Sequence, residues 1–432
     1  MTYKIIKGSK MKKLLIFILA IIILLGACSP KNIPEDVAPA PSSDYSEIEE
    51  ITPAYSSEES EEAAPPTPTN VSADSNTTKP TNTPVPQENT DAPSDYPPEG
   101  YGPENFPDNI NPLTGLSVEN PELLDQRPIS VKMPLFPRSV RPQWGLSQAA
   151  LVYEYYHNGG ITRFNVIFYG REAEQLAPIR SARFSDENFI RMYKATLTFG
   201  GTYEDVSEHF FNSSFASQLL YTVTSDPCPP REGYPVCRYD PDNMNHLMGN
   251  TKLLSEYFTA QGLDNIRQDL DGMFFQVNPP QNAETGTQLR IRYTDANFHL
   301  WDYHSDIEEY VRYQENETTS EESYSILTDN NNNIPISADN VVVLIVPHKK
   351  LESDHEAYYL QLSGSGDAYA FRDGKMYLVQ WNRPTLDSVL YLTFPNGDLF
   401  PFRPGNTWFE VIGINSDIIE QDVGLKIRAY IP

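Results

Sequence analysis

Apolar and polar positions are distributed very unevenly along the 432 residues. Lys12 and Lys13 precede an unbroken apolar run from Leu14 to Leu25, which ends in Gly26-Ala27-Cys28. From Ser29 to about Asn109 apolar runs almost vanish, and Pro, Ser, Thr, Glu and Asn dominate. Periodic patterns begin only after that. Leu151 to Tyr156, the turn His157-Asn158-Gly159-Gly160 and Ile161 to Tyr169 predict a β-hairpin, because Asn-Gly between aromatic and β-branched runs is a strong turn signal. Pro128 to Met133 predicts a short strand before it. Ser185 is placed to cap a helix over 186–194, with Asp186 and Glu187 in its first turn. Ala195 to Phe199 then predicts a returning strand that ends at Gly200-Gly201.

Beyond about residue 285 the pattern becomes a series of strands. Gln288 to Tyr293 alternates apolar and polar residues, and Val341 to Val346 is a continuous apolar run of the kind a buried strand requires. Asp373-Gly374 and Asn396-Gly397 each sit between apolar runs and mark further hairpins. The polar stretch Asn316 to Asn333 reads as a loop. The fold class expected is α+β, with a mixed α/β segment over 110–280 and a mainly antiparallel β segment, a sandwich or half-open barrel, over 285–430.

The first 28 residues have the form of a secretory signal: basic residues, about a dozen apolar residues, then small ones before a cut site. A Cys directly after the small residues resembles a bacterial lipobox. The resemblance implies lipid transfer to the Cys28 thiol, cleavage before it, and a membrane-held N-terminus on the extracytoplasmic face. An uncleaved membrane helix is the competing reading, but the run is short for a span of about 20 residues. Met1 and Met11 are both candidate starts. Residues 29–109 then read as a disordered tether of acidic, Pro-, Ser- and Thr-rich composition, which cannot bury enough surface to offset chain entropy. As a flexible coil it reaches roughly 50 Å.

Charge narrows the partners. The chain carries a formal −27, and the stretch from Ser29 to Asp108 holds 17 acidic residues against Lys31 and Lys79. With no basic run to follow a phosphate backbone, nucleic acid is excluded as a partner. Acidity also disfavours peripheral binding to anionic lipid, which leaves membrane attachment to the lipid on Cys28. Cys228 and Cys237 flank the loop Pro229 to Val236. Outside the membrane such a pair forms a disulfide, with two free thiols or a metal site as the alternatives.

Candidate chemistry is sparse. Either hairpin register considered, a two-residue or a four-residue turn, places Glu154 opposite Arg163. Arg180 and Arg183 follow on the loop that leaves the hairpin. Arg163, Arg180 and Arg183 are therefore candidates to converge on an anion, since the planar guanidinium fork suits carboxylate or phosphate. Pairing to local acids is the bland reading. His299, Asp302, His304 and Asp306 form the one His/Asp cluster in the sequence, and strand alternation turns His299 away from the rest, against a metal site. No nucleophile elbow, zinc-protease motif or phosphate loop is present, so no cofactor, metal or catalytic residue is assigned.

Asn111 to Gly115, Arg127-Pro128, Arg141-Pro142-Gln143, Gly145 to Ala149, Val152-Tyr153-Glu154, Gly159 to Phe164 and Ile179 to Arg183 resemble the YerB family of Gram-positive lipoproteins in order and spacing. The resemblance implies an extracytoplasmic lipoprotein with two linked domains and implies no reaction. Two departures stand out. Lys132 to Phe136 replaces an acidic Ile-Asp-Asn segment, and Met244-Asn245-His246-Leu247 replaces Pro-His-Asn-Leu. The function expected is therefore non-enzymatic binding of an envelope component, either a wall polymer or an envelope protein. The alternative is an enzyme acting on a wall glycan or peptide, with Glu154 as acid or base and the arginines holding an anionic group.

Overall fold

The hairpin is the seed of the architecture. Strands Leu151–Asn158 and Ile161–Phe168 pair antiparallel, and the sheet grows outward from both. On one side Ile129–Pro134 pairs antiparallel with the second hairpin strand, followed by the parallel strands Thr196–Phe199 and Leu219–Tyr221. On the other side Thr407–Gly413 lies parallel to the first hairpin strand and continues into Asn340–Val346, Gly364–Arg372, Lys375–Arg383 and Tyr391–Thr393. Together with the short strand Glu284–Thr285, these make an eleven-stranded mixed sheet. Strands from 110–280 and from 285–430 thus share one sheet. The structure is a computed structural model that describes residues 96–241, 246–317 and 322–430. The signal segment, Cys28, the tether up to residue 95 and Met244-Asn245 lie outside those residues.

A second sheet of seven strands, mostly antiparallel, is built entirely from the later half. Its main path includes Gln288–Thr294, Asn297–His304, Glu309–Glu315 and Gly424–Arg428. The chain is therefore α+β, mixed in its earlier part and dominated by strands in its later part. The stretch expected to be a loop at 316–333 contains strand Tyr324–Ile326. It also contains the fully buried Asp329, whose carboxylate accepts from the backbone N–H groups of Gly145 and Ser147.

Strands covered on both faces are largely apolar on both faces, and polar residues within them need partners. All six residues of Ile129–Pro134 and all seven of Thr407–Gly413 are buried. One face of the large sheet carries Val152, Phe164, Val166, Val341 and Trp408 against Trp301, Tyr310, Leu289 and Ile427 of the second sheet. The Trp301 and Trp408 rings meet edge to face at 5.1 Å. The other face carries Tyr153, Tyr155, Val342, Leu344 and Phe409 against Phe189, Met192 and Tyr193. Those last three recur at helical spacing on Glu187–Tyr193. That helix begins one residue after the expected start, and Ser185 does not cap it: its hydroxyl donates to Tyr358 O and accepts from Leu360 N–H.

Between the sheets lies a buried ionic group. Glu154 and Glu410 stand opposite one another on adjacent parallel strands, and both are inaccessible to solvent. Two carboxylates so placed repel each other, and burial with the neighbouring charge raises the pKa of Glu154. Arg312, from the second sheet, donates Nη2–H to Glu154 Oε2 at 2.7 Å and Nη1–H to Glu410 Oε1 at 3.0 Å. Its guanidinium lies 4.9 Å from the Trp408 ring centroid and 5.3 Å from that of Trp301. Trp301 Nε1–H adds a bond to Glu410 Oε1 at 2.8 Å. His299 Nε2 is 3.1 Å from the same oxygen, and burial followed by the Arg312 charge lowers its pKa to about 3.

Arg312→Met leaves two buried carboxylates without a cation and is expected to lower the free energy of unfolding by about 3–5 kcal/mol. Urea melts test this, and a loss below about 1 kcal/mol would mean that the network does not join the sheets. His299 remains neutral in the folded chain down to about pH 3, whereas in the unfolded chain it takes up a proton near 6.5. The unfolded state then binds more protons as pH falls through that window, so the folded state loses stability. Between pH 6.5 and 5.0 the wild-type chain is expected to lose about 1.5–2 kcal/mol more than His299→Gln. Parallel slopes for the two proteins would contradict this.

Candidate anion-binding site

The loop after strand Leu176–Ile179 is sewn between two parallel strands. Arg180 N–H donates to Lys132 O at 2.8 Å, and Gly200 N–H donates to Arg180 O at 3.0 Å. Gly200 fits closely here: a Cβ would lie 3.0 Å from Ile179 O and 2.7 Å from Leu247 Cδ1, so the Leu247 side chain would have to shift. Ala182 N–H donates to Gly201 O, and Thr202 Oγ1 donates to Ala182 O. The segment Arg180 to Arg183 thereby crosses the carboxyl end of Thr196–Phe199, beside the parallel strand Ile129–Pro134. Carboxyl ends of parallel strands are where open α/β sheets place ligands.

The three arginines gather at this crossing. Arg163 and Arg183 are 6 % and 7 % exposed. Arg163 Nη1–H donates to Ser181 O at 2.7 Å, and Arg183 Nη1–H donates to Ala182 O at 2.7 Å. Arg183 Nη2–H donates to His157 Nε2 at 2.8 Å. The half-buried Arg180 side chain makes no hydrogen bond or ion pair among the described residues, and burial pushes its pKa down. The Nε atoms of all three are buried without a partner. Burial, then the Arg183 and Arg180 charges, hold the Arg163 pKa well below its usual range. Burial and the surrounding cations Arg163, Arg183, Lys132 and Arg180 keep His157 neutral.

Among the described residues one carboxylate lies in this group, and both of its oxygens are engaged. Asp186 Oδ1 accepts from Tyr155 Oη–H at 2.7 Å and Asn165 Nδ2–H at 2.9 Å, and it lies 3.2 Å from Lys132 Nζ. Asp186 Oδ2 accepts the Arg183 backbone N–H at 2.7 Å. Lys132 also donates to Tyr155 Oη, and its ammonium lies 3.8 Å from the centre of that ring. Full burial, opposed by Asp186, lowers the Lys132 pKa to about 7. The Arg183 guanidinium covers the Tyr203 ring at 4.4 Å, and Tyr203 stacks on His355 at 3.4 Å.

Glu154 is not part of this group, contrary to the expected register. The pairing puts Glu154 opposite Phe164 and Tyr155 opposite Arg163, with an irregularity between Tyr156 and Asn158. One extra residue in a strand moves every side chain beyond it to the other face. Glu154 therefore points toward Arg312 and the second sheet, and Arg163 points toward Asp186 and the loop. Glu154, His299 and Glu410 offer ligand atoms within 4.8 Å of one another, but both carboxylates already accept from Arg312. His304 is exposed enough to lie beside Asp302 at 3.7 Å on the far side of its strand from His299. Cys228 and Cys237 are joined by a disulfide. Sequence reading singled out Lys132 only as the start of a departure from the family pattern, and missed His157 and Asp186 at the arginine site. A lysine inside an apolar strand was the one available signal.

Two domain matches cover more than half of the chain. Residues 113–227 match the N-terminal domain, and residues 289–409 the C-terminal domain, of a protein family of unknown function, DUF3048. The YerB protein of Bacillus subtilis (strain 168), whose name marks it as a candidate lipoprotein, is 26 % identical over 304 residues, 70 % of this chain and 85 % of that one. The crystal structure of YerB from Bacillus subtilis superposes with a TM-score of 0.59 at 22 % identity, over 74 % of this chain and 99 % of that one, and so shares the fold. With both domains present in order, the chain belongs to the YerB-like, DUF3048 family.

Proposed function

We propose that this chain is a lipid-anchored lipoprotein of the extracytoplasmic membrane face that binds an anionic component of the cell envelope, a wall polymer or an acidic envelope protein, through Arg163, Arg180 and Arg183. The observation that carries the reading is the charge count at the site. Three guanidinium groups meet where Asp186, the one carboxylate there among the described residues, is already taken up by Lys132, Tyr155, Asn165 and a backbone N–H. Buried cations without counter-charges are costly, and an anionic ligand relieves that cost. The lipobox-like Leu25-Gly26-Ala27-Cys28 and the name of the YerB relative support the anchor. The two domains, 110–280 and 285–430, then form the binding body at the end of the tether, whose expected last residues, 96–109, instead pack on that body, with Tyr101 paired to Phe275 and Phe106 against the core. The enzymatic alternative loses its acid, because Glu154 faces the other side of the sheet and is paired to Arg312.

Arg180→Ala is expected to weaken pull-down of anionic wall polymer at least tenfold. Its effect on stability should stay within about 1 kcal/mol, since the side chain makes no bond that the fold needs. Unchanged pull-down would remove the site. The anchor is tested by Cys28→Ala, which is expected to release the signal-cleaved protein from the membrane fraction. Continued fractionation with membrane after cleavage would show that the lipid is not what holds it.

A further inference from the structure

The hydrogen atoms of the site can be assigned from chemistry. Arginine can only donate, so His157 Nε2, 2.8 Å from Arg183 Nη2, is the acceptor and the ring proton sits on Nδ1. That Nδ1–H is buried and has no partner, as are the Nε–H groups of Arg163, Arg180 and Arg183. Four N–H donors, on the two hairpin strands and the loop, therefore lack an acceptor among the described residues. Buried donors are nearly always satisfied, so their concentration in one place points to a missing acceptor.

From this arrangement we infer that the group seated there is a phosphate monoester in its dianionic form. The inference rests on reading the cluster as an anion site and adds the ligand's chemistry. Lys132 and Asp186 offset one another at 3.2 Å, which leaves three guanidinium charges. A carboxylate or a phosphodiester brings one negative charge to them, whereas a monoester brings about 1.5–2 near neutral pH. Its three terminal oxygens are disposed tetrahedrally and can meet donors arriving from three elements, while the two oxygens of a carboxylate are confined to one plane. Tyr203, with Arg183 over one face and His355 stacked on the other, holds the Arg183 guanidinium in place beside the phosphate.

Calorimetric titration of the full chain with glycerol 3-phosphate, a glycerol phosphodiester and glutarate tests this. The monoester is expected to bind at least tenfold more tightly than the other two. Arg180→Ala and His157→Phe are each expected to reduce its affinity tenfold or more, with Arg180→Ala keeping the wild-type melting curve. Equal binding of the diester or of glutarate would overturn the monoester assignment and leave the anion site standing. No binding of any of the three, together with unchanged polymer pull-down by Arg180→Ala, would overturn both. Vesicles containing phosphatidic acid separate a lipid source from a soluble one. Displacement of the chain from them by glycerol 3-phosphate supports a single monoester site, and vesicle binding that the soluble ester does not displace overturns it.

Discussion

The arrangement of both sheets depends on Arg312. Strand pairing brings Glu154 and Glu410 side by side where no water reaches them. That pairing needs a proton on one carboxyl group or a cation between the carboxylates and the second sheet. Arg312 meets the need with one planar group that bonds both carboxylates and lies against Trp301 and Trp408. A lysine could not do this, because a single ammonium lacks the fork and the flat apolar faces. The requirement is also directional. The strand carrying Arg312 must lie across the junction of Leu151–Asn158 and Thr407–Gly413, so this group fixes how the second sheet sits on the first. Buried ion pairs are poor sources of net stability, and their better-attested role is to select one arrangement over its neighbours.

The same hairpin strands carry polar groups on both faces, and they do opposite things. On the inner face Glu154 is matched by Arg312. On the outer face Arg163, Lys132 and Asn165 converge on Asp186, with Arg180 and Arg183 brought in by the loop. The first group is closed, apart from the acceptor-less His299 and one oxygen of Glu410. The second is open on its cationic side. A rigid strand pair sandwiched between two filled cores is suited to holding cations in place against their mutual repulsion, because the backbone that carries them cannot relax without disturbing both layers.

Much of the fold was legible because it is local. Asn158-Gly159 announces the hairpin, Val341 to Val346 announces a buried strand, and Asp373-Gly374 and Asn396-Gly397 mark later turns. The joining of Thr407–Gly413 to Leu151–Asn158 was not legible, since a pairing across more than 250 residues leaves no trace in either segment's periodicity. The convergence of Arg163, Arg180 and Arg183 was legible from their order around one strand and its exit loop. The place of Glu154 was not, because a single irregular residue near His157 decides which face it occupies.

That irregular residue also links register to chemistry. With the ladder continued unbroken from Asn158 and Ile161, Glu154 would stand opposite Asn165, on the same face as Arg163, and supply the carboxylate that the outer face lacks. The extra residue in the strand sends Glu154 inward to Arg312 and leaves Arg163 outward with Arg180 and Arg183. It also turns His157 toward Arg183, with its Nε2 engaged and its Nδ1–H free. One slip in pairing therefore completes the inner ionic group and uncovers the outer one. The shortage of negative charge at the arginine cluster is in this sense a product of the strand geometry, and the lysine at position 132 deepens it by occupying Asp186.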